Sequence, residues 1–157
     1  MKNLAFLLFS LLSCPVWAQR IQRINPPGLY ASKDYTNVVT AQGGRTVYTS
    51  GQISANAKGE LLHKGDLRAQ AKQACENLKI ALAAAGATFE DVVKTTTFVV
   101  NSDAEKVEIV RQVWSQYSTA PYPLANTYVG VQALYDKDVL IEIEAIAVVK
   151  ETARKPR

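Results

Sequence analysis

The segment 139–149, VLIEIEAIAVV, constrains the fold of this chain more than any other, because apolar residues occupy both faces of the strand it predicts. One face carries Ile141, Ile143, Ala145 and Ala147. The other face carries Leu140, Glu142, Glu144, Ile146 and Val148. A solvated strand face is polar, so a half-apolar second face needs a cover of its own. We expect helices to cover the first face and another subunit to cover the second.

The two carboxylates of that second face are expected at its rim or inside a cleft between subunits. Simple solvation is the open alternative, and it suits Glu144 better than Glu142. Glu142 lies nearer the start of the strand, where loops converge.

The first half of the chain predicts two strands and a helix. Apolar runs on either side of Gly43 and Gly44 are typical of a β-hairpin. A helix follows between an Asp66 cap and Gly86, with apolar residues spaced by three or four. These positions are Leu67, Ala71, Ala74, Leu78, Leu82 and Ala85.

The second half predicts a strand, a helix and two further strands. β-Branched residues fill a strand over 92–100. Ser102 and Glu105 form a capping-box pattern at the start of a helix. Strands over 127–133 and 139–149 complete the order β-β-α-β-α-β-β. We therefore expect an α+β sandwich, with one mixed sheet and two helices on one of its faces.

The N-terminal segment 1–18 is typical of a secretory signal peptide, with an early lysine, a short apolar run and the exit Val-Trp-Ala. We expect cleavage after Ala18 and a periplasmic or secreted protein. Lipidation at Cys14 is the alternative, because Leu-Leu-Ser-Cys resembles a bacterial lipoprotein box. The chain is then expected to touch a membrane only if Cys14 carries a lipid.

The rest of the chain divides into an irregular N-terminal arm over 19–33, one domain over 34–149 and a basic tail over 150–157. After removal of the signal peptide, Cys75 is the sole cysteine, so an internal disulfide is excluded. His63 has no neighbouring His or Cys, and we expect no metal. The tail holds the excess positive charge, and aromatic and basic residues do not interleave, so nucleic acid is not an expected partner.

Three strings, VYTSGQI, ENLKIALAAAGATFEDVVKTTTFV and IEIEAIAVV, resemble the Rid family (reactive intermediate deaminases, RidA-like or YjgF-like) over roughly residues 30–150. The resemblance implies a chorismate-mutase-like α+β fold and a homotrimer around a central barrel. It also implies clefts between adjacent subunits that hold a small molecule. The implied activity is hydrolysis of enamines and imines to a carbonyl compound and ammonia, without a cofactor or a metal.

The resemblance also implies roles for single residues. Glu142 matches the family's water-handling glutamate. Tyr35 and Ser50 match residues that line the substrate, although a packing aromatic and a turn serine are equally good readings of these positions. Glu108 stands where the family commonly has asparagine. Asn126, just before the predicted strand 127–133, stands where the family has the arginine that binds the substrate carboxylate.

A neutral asparagine lacks the charge and the two-pronged geometry of an arginine. Neither Arg45 nor Arg111 matches a family site position, and we do not expect either to replace the missing group. Three hypotheses remain open: a deaminase with altered specificity, a periplasmic trimer that binds a small molecule without turnover, and a trimer whose clefts have no function.

Overall fold

The computed structural model describes residues 20–118 and 123–150. The predicted signal peptide and nearly all of the predicted tail lie outside these ranges. Within them, no helix is long and apolar enough to cross a membrane.

The described residues form six strands and two α-helices. They are β1 (Arg20–Ile24), β2 (Val38–Gln42), β3 (Arg45–Tyr48), α1 (Leu67–Ala84), β4 (Val92–Val100), α2 (Ala104–Trp114), β5 (Ala125–Val131) and β6 (Ile141–Val149), with a 3₁₀ turn (Phe89–Asp91) before β4. The main sheet has the order β3-β6-β4-β5, and only the β4–β5 pair is parallel. This is the predicted α+β class, with a mixed sheet and two helices.

Helix α1 begins and packs as its sequence predicts. The Asp66 carboxylate accepts a hydrogen bond from the backbone N–H of Ala69, which satisfies one of the unpaired donors of the first turn. The apolar positions that were predicted from Leu67 to Leu82 are buried against the sheet. Each fully buried leucine contributes about 1.5–3 kcal/mol of transfer free energy, so this row fixes the helix on β6.

Strand β6 supplies the sheet side of that core. Ile141, Ile143, Ala145 and Ala147 are buried beneath the helices, as the alternation predicts. Strand β4 has the predicted bounds, and its Thr95, Thr97 and Val99 face the same side. We call the opposite side of the sheet the open face.

The N-terminal arm and the hairpin differ from the prediction. Residues 20–24 form β1 instead of irregular chain, and β1 pairs with β2 in a separate two-stranded sheet. Strand β3 pairs with β6, so β2 and β3 adjoin across Gly43–Gly44 without pairing with each other. A Cβ on Gly44 would lie 2.4 Å from the carbonyl oxygen of Val149. The turn therefore brings β3 alongside the end of β6. Strand β3, which was predicted to pair with β2, pairs with β6 in its place.

The start of α2 also differs. Asp103 is the N-cap residue, and its carboxylate accepts from the backbone N–H of Lys106. Ser102, which was predicted to cap, instead hydrogen-bonds the Tyr128 hydroxyl at 2.7 Å. Ser102 and Asp103 are adjacent, so both are candidate N-cap residues in the sequence. Because Ser102 bonds to Tyr128 of β5, Asp103 caps the helix.

Candidate functional site

A cavity of about 240 Å³ opens between α2, β5 and the segment before β2. Its lining combines aromatic, aliphatic and polar side chains. They are Asp34, Tyr35, Thr97, Val107, Val110, Arg111, Trp114, Asn126 and Tyr128. We call this cavity the Asn126 pocket. Two of the residues predicted for the site, Tyr35 and Asn126, therefore meet in it.

Asn126 is the second residue of β5 and pairs with Thr95 of β4. The sequence analysis placed it one residue before the strand, so β5 begins earlier than predicted. Because Thr95 faces the helices, Asn126 faces the same side. Its carboxamide makes no hydrogen bond within residues 20–118 and 123–150, so both its donor and its acceptor are available to a ligand.

Tyr35 reaches the pocket because its neighbour is anchored to the start of β5. The backbone N–H of Thr36 donates to the Leu124 carbonyl at 3.0 Å, and its hydroxyl donates to the Pro123 carbonyl. Thr36 is only 4 % exposed. This clamp holds Tyr35 beside Asn126, although the two are 91 positions apart.

Arg111 lines the same pocket, contrary to the expectation that it would not reach the site. Its guanidinium forms two 2.8 Å hydrogen bonds with the Glu108 carboxylate, one turn earlier on α2. Gln112 donates to the same carboxylate at 2.7 Å. The hydrogen bonds from Arg111 and Gln112 lower the pKa of Glu108 to about 2. Glu108 therefore meets the pocket through Arg111 and is not part of its lining.

The Glu108–Arg111 pair is a surface pair, with side chains 47 % and 44 % exposed. Exposed pairs of this kind contribute little to stability, since water screens both charges. An anion that enters the pocket therefore competes with Glu108 for Arg111, and the pair that it must break is a weak one.

Glu142 lies elsewhere, with the loop that follows β3. A Cβ on Gly51 would lie 1.7 Å from Glu142 Oε1, so the carboxylate occupies the space that a side chain at position 51 would need. Gln52 pairs with Ile143 through two backbone hydrogen bonds of 2.8 and 3.0 Å, which hold the loop against β6. Ser50 precedes this contact, is exposed, and accepts from the Gln52 side chain through its carbonyl. Ser50 and Glu142 thus form a second group.

The two groups lie on opposite faces of the sheet. Glu142 pairs with Phe98 of β4, whereas Asn126 pairs with Thr95, and these β4 residues point to opposite sides. Asn126 and Glu142 are offset by two strand spacings and three residues, which places their Cα atoms about 14 Å apart. A substrate of a few carbon atoms cannot touch both in one chain.

The open face carries apolar side chains beside its charges. Tyr48 of β3 is 75 % exposed, and Phe98, Val129 and Ile146 are half-buried. Lys94 also lies there, and burial lowers its pKa. The open face is therefore partly apolar and partly exposed. Whether another subunit covers it stays a prediction.

Arg111, Trp114 and Gly51 were not predicted as site residues. Trp114 packs edge-on against Phe89 with ring centroids 5.6 Å apart. Arg111 lies within one helical turn of Glu108, and Gly51 directly follows Ser50. Position in the sequence was therefore an available signal for these two residues, but not for Trp114.

The part of the chain that the structure covers contains neither a metal site nor a reactive thiol. It holds no group of three or more His, Cys, Asp or Glu side chains that could bind a metal ion. Cys75 is a free thiol on α1 that is 1 % exposed, and burial raises its pKa to about 12. A thiol with that pKa is a poor nucleophile at neutral pH.

Comparison with known proteins places the chain in a family. Residues 26–149 match the family model described as endoribonuclease L-PSP. The 2-iminobutanoate/2-iminopropanoate deaminase of Escherichia coli K12 is 43 % identical over 107 residues, covering 67 % of this chain and 80 % of the relative. The protein of the same name from Dermatophagoides farinae is 37 % identical over 109 residues, covering 69 % and 82 %.

Solved structures agree with the sequence match. A Rid-family protein from Yersinia pestis, YyfB, described as of unknown function, superposes with a TM-score of 0.76 at 41 % identity, covering 82 % of this chain and 98 % of that one. The YjgF protein of E. coli superposes with a TM-score of 0.57 at 42 % identity, covering 67 % and 81 %. The chain belongs to the Rid (RidA/YjgF-like) family.

Proposed function

We propose that this protein is an imine and enamine deaminase whose preference for carboxylate-bearing substrates is weaker than that of its relatives. Two relatives carry the name 2-iminobutanoate/2-iminopropanoate deaminase, and both substrates in that name are small imino acids. The observation that carries the proposal is the Glu142 carboxylate held against Gly51, where only a glycine leaves room for it.

The reaction needs few catalytic groups from the protein, because an imine carbon is already electrophilic. Water adds to the C=N carbon, and a carboxylate takes the proton that the water loses and returns it to nitrogen. The C–N bond of the resulting carbinolamine then breaks, which leaves a carbonyl compound and ammonia. Glu142 is the residue we assign to orient and deprotonate the water.

The substrate is proposed to lie between subunits of a homotrimer. The Asn126 pocket and Glu142 are on opposite faces of one sheet, about 14 Å apart. A neighbouring chain can present its Glu142 group to the pocket of the first, which a single chain cannot do. The partly exposed apolar residues of the open face, such as Phe98 and Ile146, supply the surface for such an assembly.

Asn126 supports the reduced preference for carboxylates. A neutral hydrogen bond contributes about 1 kcal/mol net, against about 1.5–3 kcal/mol for one to a charged group. The same substitution favours the second candidate, a trimer that binds a small molecule in these clefts without turnover.

We also propose export, on the N-terminal pattern of residues 1–18.

Ammonia release separates the two candidates. Imines are generated in the assay from amino acids and from amines without a carboxyl group, and the wild type is compared with Glu142→Gln. A deaminase accelerates ammonia release from at least one class, and Glu142→Gln loses that acceleration while it remains folded. A rate equal to that of the protein-free control for every imine refutes the deaminase and favours the binding protein.

A further inference from the structure

We infer that Arg111 supplies the positive charge that binds a ligand carboxylate in the Asn126 pocket, so that the anion-binding group lies on α2 instead of β5. This inference rests on the proposed function for its substrate class, which is small 2-imino and 2-oxo acids. It goes beyond that function by naming a residue that the family resemblance does not identify.

The first support is position. Arg111 and Asn126 line one cavity from opposite sides, one from α2 and the other from β5. The cavity of about 240 Å³ equals about eight water molecules at their liquid volume of about 30 Å³. An acid of six or seven non-hydrogen atoms fits such a space with its carboxylate near the guanidinium.

The second support is a surplus of hydrogen-bond donors. Arg111 uses Nε and Nη2 for Glu108, which leaves Nη1 without a hydrogen-bond acceptor among the described residues. The Asn126 amide, the Tyr35 hydroxyl and the Trp114 indole N–H also lack acceptors within 20–118 and 123–150. Several donors on residues that line one cavity, without acceptors among the described residues, favour a ligand that brings its own oxygen atoms.

The remaining charges around the pocket set how tightly an acid binds. Asp34 lines the pocket and faces Arg111, and Glu108 is paired with Arg111. Lys33 lies beside Asp34 in the adjoining cleft and interacts with Glu108. Because two carboxylates oppose the two cations, the ligand carboxylate must compete with Glu108 for Arg111. Glu108 therefore acts as a specificity-determining residue that weakens binding of acids.

The test measures binding, so it does not depend on turnover. The probes are 2-oxobutanoate and 2-butanone, in which a methyl group replaces the carboxylate. Their dissociation constants are measured by NMR titration of the full protein and three variants, Arg111→Gln, Glu108→Gln and Arg68→Gln. Arg68 is the matched control, because it is also an exposed arginine bonded to α2, through Gln112 at 3.0 Å, and it does not line the pocket.

We expect the wild type to bind 2-oxobutanoate more tightly than 2-butanone. Arg111→Gln should weaken 2-oxobutanoate about tenfold, which is the effect of losing one charge-assisted contact, and leave 2-butanone unchanged. Glu108→Gln should tighten 2-oxobutanoate several-fold, and Arg68→Gln should change neither.

The inference is wrong if the wild type does not prefer the acid, or if Arg111→Gln leaves its binding unchanged. It is also wrong if Arg111→Gln weakens both probes equally, because that result indicates a structural role. A protein that binds 2-oxobutanoate through Arg111 but hydrolyses no imine refutes the deaminase and leaves this inference standing.

Discussion

Asn126 and Glu142 project from opposite faces of the same four-stranded sheet, because their partners on β4, Thr95 and Phe98, are three residues apart. The family resemblance pairs these two positions in one site, and the register separates them within one chain. A site that uses both needs a second copy of the chain.

Restoring a charge at position 126 should raise activity on acidic substrates. Asn126→Arg adds a guanidinium on β5, in addition to Arg111, and should raise kcat/KM for carboxylate-bearing imines about tenfold. The double variant with Glu108→Asn should do at least as well, since it also removes the competing carboxylate. Ammonia release from 2-aminoacrylate is the measurement.

The control combines Asn126→Arg with Glu142→Gln, which should lose the whole gain. A wild type that already hydrolyses 2-aminoacrylate as fast as the E. coli relative would contradict the assignment of Asn126 as the cause of a weaker preference.

Crowding position 51 should disturb Glu142 more than it disturbs the fold. A Cβ at Gly51 would lie 1.7 Å from Glu142 Oε1, and the flexible glutamate can move away at small cost. Gly51→Ala should therefore lower the free energy of unfolding by less than about 1 kcal/mol and lower kcat about as much as Glu142→Gln does. Denaturant unfolding and ammonia release are measured on the same sample. Full activity in Gly51→Ala would show that the Glu142 position is not required.

Disrupting the open face should break assembly without unfolding the chain. Tyr48 is 75 % exposed in the isolated chain, so Tyr48→Asp costs little within one subunit and buries a charge only in a complex. Sedimentation at micromolar concentration should show a trimer for the wild type and smaller species for the variant. Ile80→Asp is the control, because Ile80 is 67 % exposed on α1, away from the open face. A wild type that sediments as a folded monomer would refute the trimer.

The N-terminus of the mature protein should begin at Gln19. This prediction rests on the Val-Trp-Ala cleavage pattern at 16–18, with Pro15 just before it. Mass spectrometry of protein produced in a secreting host gives the answer. A diacylglyceryl mass on a chain that begins at Cys14 would establish the lipid anchor in its place.

The regular elements could be predicted from the sequence because each depends on local pattern. The β-branched run gives β4 its bounds, Asp66 caps α1, and alternation along β6 separates its buried and open faces. Strand β1 could not be predicted in this way, since its short run becomes a strand by pairing with β2, a partner that its own sequence does not specify.

The candidate site was harder to predict because it depends on contacts between distant segments. Arg111 reaches the Asn126 pocket only because α2 packs beside β5 at one particular rotation, and the sequence of α2 does not specify that rotation. The clamp from Thr36 to Pro123 and Leu124 is likewise invisible in the sequence, since it joins segments nearly ninety residues apart.

Subunit complementation tests most directly the claim that each site is shared between two chains. Asn126→Trp fills the pocket, Glu142→Gln removes the water-handling carboxylate, and each variant alone should be inactive on the imine that the wild type hydrolyses best. If each site joins the pocket of one chain to Glu142 of the next, every mixed trimer holds one intact site. An equal mixture that has exchanged subunits should then regain about a quarter of the wild-type rate. A mixture that exchanges fully and stays inactive would contradict the shared site.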